Sequence, residues 1–137
     1  MATFVLTDAY VSINAVDLSD HVRSLSFTFE AEGVDSANMG DTTRIMQGGL
    51  KNYGVDIEFS QDFASGKVDD TLFDLVGTTT VVVLQAVNNS GTGTATNPSF
   101  TGTMLLTSYP PITGAVGDKA IATASFVPAG NMVRAVA

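Results

Sequence analysis

Residues 24–60 read SLSFTFEAE, GVDSANMGDTTRIMQGGLKN and YGVDIEFS in succession, and this stretch decides the fold. The first and third segments alternate apolar and polar residues with a period of two, which is typical of half-buried β-strands. The segment between them, residues 33–52, carries four glycines and is far too long for a tight hairpin turn. We therefore expect two amphipathic strands, over 23–31 and 53–60, joined by a long loop over 33–52.

The remainder of the chain predicts one helix and several more strands. Residues 68–76 (VDDTLFDLV) place apolar residues at helical spacing, with Asp69 and Asp70 early, where the helix dipole favours negative charge. Further strands are expected over residues 3–14, 79–87, 99–108, 119–127 and 132–136, with a flexible turn region over 88–98. The pattern predicts a single mainly-β domain spanning residues 1–137.

Composition limits the possible functions. Hydrophobic residues make up 45% of the chain and charged residues only 15%, which indicates a folded protein, part of whose surface is covered by partners. Six basic residues against fourteen acidic ones give a net charge of −8, which repels nucleic acid. The absence of cysteine excludes disulfides and thiolate metal sites. Residues 1–21 lack the basic start and apolar core of a secretory signal.

The candidate groups for chemistry form no recognisable site. His21 could pair with Asp17 or Asp20, but no nucleophile motif accompanies it, so we interpret it as a surface residue at the start of a strand. Three aspartates fall within the predicted helix: Asp69, Asp70 and Asp74. No calcium-loop pattern surrounds them, and helix capping and solvation explain them better. The glycine-rich run at 91–96 lacks the lysine and following helix of a phosphate loop.

Three carboxylates on the polar faces of the two amphipathic strands are stronger candidates for a functional site: Glu30, Asp56 and Glu58. A pair of strand carboxylates could act as acid and base in sugar hydrolysis. The chain has no tryptophan, however, and its phenylalanines mostly occupy apolar strand positions, so no aromatic platform for a sugar is evident. We expect no enzyme activity, no cofactor and no metal, and a solvated acidic sheet face instead.

The order of these segments resembles the major tail, or tail-tube, proteins of long non-contractile-tailed bacteriophages. The resemblance rests on the segment ending in VDLSDHV, the long loop between two strands, the helix DDTLFDLVG, and the closing run FTGTMLLTSYPPITGAVGDKAIATASFVPAGNMVR. Within that run, Gly102, the Gly117–Asp118 turn, the small-residue strand 120–126 and Gly130 suit the family. It implies a two-sheet β-sandwich or barrel with one short helix.

The resemblance also implies an assembly. Subunits form hexameric rings, and the rings stack into a tube whose lumen conducts phage DNA without binding it specifically. Glu30, Asp56 and Glu58 would then line the lumen and repel phosphate. The long loop would contact the adjacent ring. Its exposed apolar residues and its arginine are the expected contacts: Met39, Arg44, Ile45 and Met46.

The implied partners are further copies of the chain and the tape-measure, tail-tip and tail-terminator proteins, with no membrane. The implied location is the virion tail, after assembly in the bacterial host cytoplasm. Two other roles stay open. One is a tail terminator or head–tail joining ring of the same fold, and the other is a carbohydrate-binding β-sandwich. Carbohydrate-binding proteins of that kind usually display surface aromatic residues, which are sparse here.

Overall fold

The computed structural model describes Thr3 and residues 5–136. Within these residues the elements follow in the order β1 (Tyr10–Ile13), β2 (Val16–Asp17), β3 (Val22–Asp35), β4 (Met46–Ser60), α1 (Val68–Leu72), β5 (Thr79–Gln85), β6 (Ser99–Ser108) and β7 (Ile121–Ala135). One 3-10 turn over Ser19–His21 precedes β3, and another over Phe73–Leu75 extends α1. The mainly-β fold with one short helix is confirmed.

All seven strands belong to one antiparallel sheet, in the order β2-β1-β5-β6-β7-β4-β3. The sheet curls over itself, because the ring of Phe27 on the edge strand β3 lies 5.3 Å from the ring of Phe100 on β6, three strands away. The predicted two-layer architecture therefore takes the form of one continuous sheet. Two separate sheets were expected, but a single bent one encloses the core.

The core lies on the inner face of this curled sheet. Alternate residues in the core-covering parts of β4, β6 and β7 point into it, and α1 adds Val68 and Leu72 from outside the sheet. The buried hydrophobic residues are Val11, Ile13, Leu18, Tyr53, Val55, Ile57, Phe59, Val68, Leu72, Val82, Leu84, Met104, Leu106, Tyr109, Ala122, Ala124 and Phe126. The alternation seen at 53–60 in the sequence is thus the core-facing side of β4.

The hairpin of β3 and β4 is longer than the sequence predicts. The expected loop over 33–52 is wrong in extent, because β3 continues to Asp35 and β4 begins at Met46, which leaves only residues 36–45 as loop. Pairing runs from Ala31–Lys51 to Asp35–Met46 across one register shift. Ladder hydrogen bonds join backbone groups, so a hairpin exposed on both faces needs no alternation of apolar and polar residues.

The two strands expected over 119–127 and 132–136 are one strand, β7, despite Pro128. β4 pairs with β7 only as far as Val55–Phe126, so from residue 127 onward β7 no longer has β4 as its neighbour on that side. A strand with one free side accepts proline, whose missing N–H removes no ladder bond there. The turn residues at 128–131 therefore do not end the strand.

Two boundaries also differ at the N-terminus and in the helix. The strand expected over 3–14 is limited to Tyr10–Ile13, and Phe4 lies outside the described residues. The helix expected over 68–76 is α-helical for Val68–Leu72 and 3-10 for Phe73–Leu75. No helix in the described part of the chain is both long and apolar enough to span a membrane.

Candidate assembly surfaces

The outer face of β3, β4 and β7 is polar and is built from rows of side chains that cross all three strands. Two such rows are Ser24–Glu58–Thr123 and Ser26–Asp56–Ser125. Alternate rows point to the core, as Leu25–Ile57–Ala124 does. Both carboxylates are therefore flanked by hydroxyl groups on the neighbouring strands. The result is a surface of short polar side chains with negative charge at its centre.

The third predicted carboxylate, Glu30, lies on the same side of the hairpin, opposite Asn52 and four residues beyond Ser26. The structure thus brings Glu30, Asp56 and Glu58 to one face. Their charges are not equivalent, because the guanidinium Nη1 of Arg23 lies 3.6 Å from Glu58 Oε1. Arg23 sits in the register shift between Val22 and Ser24, so the sequence alternation could not assign it to a face.

The distal part of the β3–β4 hairpin, residues 30–52, stands away from the core, and we call it the arm. Each of its residues is exposed except the half-buried Ser36. The apolar side chains that it presents to solvent are Val34, Met39, Ile45, Met46 and Leu50. All four predicted contact residues are therefore exposed on a protruding element, since Arg44 is exposed there as well. Sequence analysis missed Val34 and Leu50, because the segment carries no alternation to mark them.

The tip of the arm is held in shape by hydrogen bonds within the arm. The Ser36 amide donates to the carbonyl oxygen of Ile45 at 2.7 Å, and the Asn38 amide donates to the Asp41 carboxylate at 2.7 Å. Gly40 has a φ of +93°, which favours glycine over residues with a side chain. The tip therefore presents Met39 from an ordered turn.

The fourth predicted contact residue, Arg44, lies beside a carboxylate of its own arm. Its Nε is 3.6 Å from Asp35 Oδ2, and the two side chains are 75% and 50% exposed. Such exposed pairs contribute little to stability, about 0–1 kcal/mol. Arg44 therefore remains able to exchange this carboxylate for one on a partner.

The base of the arm is fastened to β7 by Tyr53. Its hydroxyl donates to the carbonyl oxygen of Gly130 at 2.6 Å, and the carbonyl oxygen of Thr103 lies 3.0 Å from the same hydroxyl. Gly102 lies beneath it, and a Cβ at that position would come within 2.9 Å of Met132 Cε and 3.3 Å of the Tyr53 hydroxyl. A side chain at 102 would therefore displace the end of Met132 and press on the Tyr53 hydroxyl.

The loop between β6 and β7, residues 109–120, lies at the other end of the sheet. Ser60 at the end of β4 pairs with Ile121 directly after this loop, whereas the arm lies at the start of β4. Two apolar side chains of the β6–β7 loop project into solvent: Ile112 is 87% exposed and Val116 fully so. The chain therefore exposes apolar residues at two opposite poles.

Gln61 fixes both ends of the β6–β7 loop. Its backbone N–H donates to the carbonyl oxygen of Ala120 at 3.1 Å, and its Nε2 donates to that of Pro111 at 2.6 Å and to the Tyr109 hydroxyl at 3.0 Å. Tyr109 in turn donates to Asp69 Oδ1 at 2.8 Å. Burial of its ring, opposed by the hydrogen bond from Gln61 and aided by Asp69, raises the pKa of Tyr109 to about 12.

His21 has a different partner from those considered in the sequence. Its Nε2 lies 2.9 Å from Asp62 Oδ2, rather than beside Asp17 or Asp20, and the side chain is partly buried. The Ala64 amide, and after it the hydrogen bond with His21, lower the pKa of Asp62 below its usual range. This pair joins the turn before β3 to the segment before α1. Among the described residues, no three His, Cys, Asp or Glu side chains form a group suited to a metal.

The turn region over 88–98 is organised by Gln85, a residue that sequence analysis did not single out. Gln85 is almost wholly buried, and its Nε2 donates to the carbonyl oxygens of Thr92 and Asn97 at 2.8 and 3.2 Å. Its Oε1 accepts from the Asn89 and Gly91 amides at 3.1 and 3.2 Å. The expected flexible turn is therefore a loop tied to the end of β5.

Comparison with known proteins gives the fold. No protein-family model and no curated protein sequence matches the chain. A chain of the native gene transfer agent virion is 17% identical, with a TM-score of 0.71 over 94% of this chain and 96% of that one. A chain of the PVC extracellular contractile injection system, in its extended sheath–tube complex, is 14% identical, with a TM-score of 0.68 over 98% and 93%.

Hcp1 from Flavobacterium johnsoniae shares the fold more loosely, with 12% identity and a TM-score of 0.53 over 93% of this chain and 98% of its own. These identities are too low to carry residue roles from one chain to another. The TM-scores and coverages do establish that this chain has the tail-tube type of fold, as the resemblance in the sequence indicated.

Proposed function

We propose that the protein is a structural subunit of a virion tail tube, which forms hexameric rings that stack around an acidic lumen. The observation that carries the proposal is the polar outer face of adjacent strands in a fold otherwise seen in tails and injection systems. A similar chain, 18% identical with a TM-score of 0.62 over 82% of this chain and 81% of that one, belongs to the tail of an empty gene transfer agent particle with C6 symmetry.

The sheet supplies a wall of suitable width. The strands β6, β7, β4 and β3 are consecutive in it, and the acidic rows lie on the last three. Six copies of four strands give about 24 strands, which at about 4.8 Å spacing and about 40° tilt close at a backbone diameter of about 48 Å. Side chains reduce this by about 10 Å, which still leaves room for a DNA duplex.

The chemistry of this wall suits passage of DNA. Carboxylates at Glu30, Asp56 and Glu58 would repel phosphate from all sides, and the hydroxyl groups between them carry no positive charge to hold it. A basic wall would bind DNA through release of counterions and slow its movement. In this role the protein is a conduit rather than an enzyme, and DNA is cargo rather than a ligand.

The arm would join one ring to the next through Met39, Arg44, Ile45 and Met46. Exposed apolar clusters on a protruding element mark contact surfaces, and methionine adapts to irregular partners. The other partners that this role requires are the tape-measure, tail-tip and tail-terminator proteins of the same particle. Assembly would occur in the bacterial host cytoplasm, and the product would reside in the virion tail.

Negative-stain microscopy and sedimentation of the concentrated, purified chain test the proposal. We expect hollow tubes with sixfold rings. A population of single rings that never stack would favour the terminator or joining-ring role instead. Compact monomers at every concentration would contradict both roles.

A further inference from the structure

We infer that the β6–β7 loop, residues 109–120, is the surface that receives the arm of a copy in the next ring. This inference rests on the proposed function and names the contact that stacks the rings. The β4 strand separates the two elements: its 15 residues, at about 3.3 Å each, span about 45 Å from the arm to Ser60 beside the loop. An arm cannot reach the β6–β7 loop of its own chain.

The two surfaces match in chemistry. The arm presents Met39, Ile45 and Met46 to solvent, and the loop presents Ile112 and Val116. Burial of apolar surface stabilises a contact by about 25 cal/mol per Å². Flexible methionines on one side and short branched residues on the other allow close packing without a preformed pocket.

The conformation of the receiving loop is already fixed before the arm binds. Gln61 hydrogen-bonds both of its ends, and the Asp118 amide donates to the carbonyl oxygen of Ala115 at 3.0 Å within it. Gly114 and Gly117 have φ values of +142° and +91°, so the loop follows a path that other residues resist. A loop fixed in this way loses little conformational entropy on docking.

The arm carries four carboxylates against Arg44 and Lys51, so both poles are net negative, and the complementary contact is a local one made by Arg44. The segments at the loop's pole, residues 61–75 and 109–120, contain five aspartates and two lysines. The arm brings Arg44, which is 75% exposed and only loosely paired with Asp35 at 3.6 Å. A single ion pair between Arg44 and an aspartate of the loop's pole would fix the orientation of the docked arm more than it adds affinity.

Unlike surfaces at opposite poles also give the right symmetry. A contact between two identical patches closes as a dimer, whereas a contact between unlike patches repeats without limit unless rotation closes it. An arm that docks on the β6–β7 loop of the next copy is of the second kind. It therefore extends a stack of rings along one axis.

Disulfide trapping tests the contact, because the chain has no cysteine of its own. In the double variant Met39→Cys/Val116→Cys, mild oxidation of assembled tubes should link copies into a ladder of multimers on a non-reducing gel. Each single variant should yield dimers at most. Met39→Cys/Val81→Cys is the matched control, since Val81 is also exposed but lies on β5, away from the β6–β7 loop.

A second variant pair separates this inference from the tube proposal. Ile112→Asp/Val116→Asp should leave folded rings that no longer stack, because two exposed substitutions disturb folding little. If the unaltered protein forms tubes but Met39→Cys/Val116→Cys gives no ladder above its control, the arm docks elsewhere. The inference is then overturned, while the tube function stands. If the unaltered protein forms no tubes, the proposed function fails and this inference fails with it.

Discussion

The hydroxyl of Tyr53 donates a hydrogen bond to the carbonyl oxygen of Gly130 at 2.6 Å, beyond the last pair that joins β4 to β7. From Val55–Phe126 onward the two strands separate, and β4 leaves the sheet with β3 as the arm. The tyrosine thus replaces a missing ladder bond. It sets the position from which the arm projects.

We expect Tyr53→Phe to lower the free energy of unfolding by about 1–2 kcal/mol, because it leaves the Gly130 carbonyl without this partner. Urea denaturation measures the change. Tyr10→Phe on β1 is the control for loss of a tyrosine hydroxyl from a half-buried strand position, and there we expect less than about 0.5 kcal/mol. Equal losses in the two variants would show that Tyr53 has no anchoring role.

The curl of the sheet depends on Phe27, whose ring contacts Phe100 at 5.3 Å and Tyr53 at 6.4 Å between ring centres. Phe27→Ala should cost about 2–3 kcal/mol of unfolding free energy, below the full value for a wholly buried ring. Phe29→Ala, two residues along the same strand face but half exposed, should cost less than about 1 kcal/mol. Reversed magnitudes would mean that the curl is held elsewhere.

If Glu30 and Asp56 line the lumen as proposed, reversal of their charge should make the assembled tube bind DNA. In Glu30→Lys/Asp56→Lys, co-sedimentation of a short duplex should appear at low salt and fall by about 1,000-fold in affinity between 50 and 200 mM, if about six phosphates are neutralised. Asp70→Lys/Asp74→Lys makes the same change in net charge at the helix instead. Binding of equal strength in that control would place Glu30 and Asp56 outside the lumen.

Removal of the arm's tip should abolish stacking and leave the fold intact. Asp35–Met46 is the last pair of the hairpin, so residues 36–45 can be replaced by Asn-Gly, which suits a two-residue turn. We expect an unchanged thermal midpoint by circular dichroism and rings without tubes by microscopy. Ala37→Ser, which keeps the loop and Met39, should still form tubes. Long tubes from the shortened variant would rule out the arm as connector.

Alkaline pH should destabilise the protein through Tyr109. Its pKa is raised from 10.0 to about 12, so folding favours the neutral phenol. The stabilisation is complete below pH 10 and is lost as the pH rises from 10 towards 12. Tyr109→Phe should be less stable than the unaltered protein at pH 8, and the difference should shrink across this window. A constant difference from pH 8 to 12 would contradict the assignment.

Burial explains which parts of this fold could be predicted from sequence. Strands 23–31 and 53–60 have one face in the core, so their alternation is visible, and the faces assigned to Glu30, Asp56 and Glu58 follow from it. The paired residues of the arm have no buried face. Their glycines and mixed polarity therefore indicated a loop, although the backbone is in a ladder.

Contacts distant in sequence explain the remaining differences. Pro128 and Gly130 suggested a break, and only the departure of β4 from the sheet shows why β7 continues through them. The pairing of His21 with Asp62, 41 residues away, has no local pattern. Nor does the role of Gln61, whose three acceptors lie on the β6–β7 loop.

Strand β3 forms the outer edge of the sheet for 14 residues, and such an edge is a ready template for unplanned pairing with another chain. The edge carries Glu30, Glu32 and Asp35, and the whole chain carries a net charge of −8, so free copies repel one another. Salt shortens the reach of this repulsion from about 30 Å at 0.01 M to about 3 Å at 1 M. We therefore expect ionic strength to control association of the free subunit. Copies should stay dispersed in dilute buffer, and added salt should allow them to polymerise.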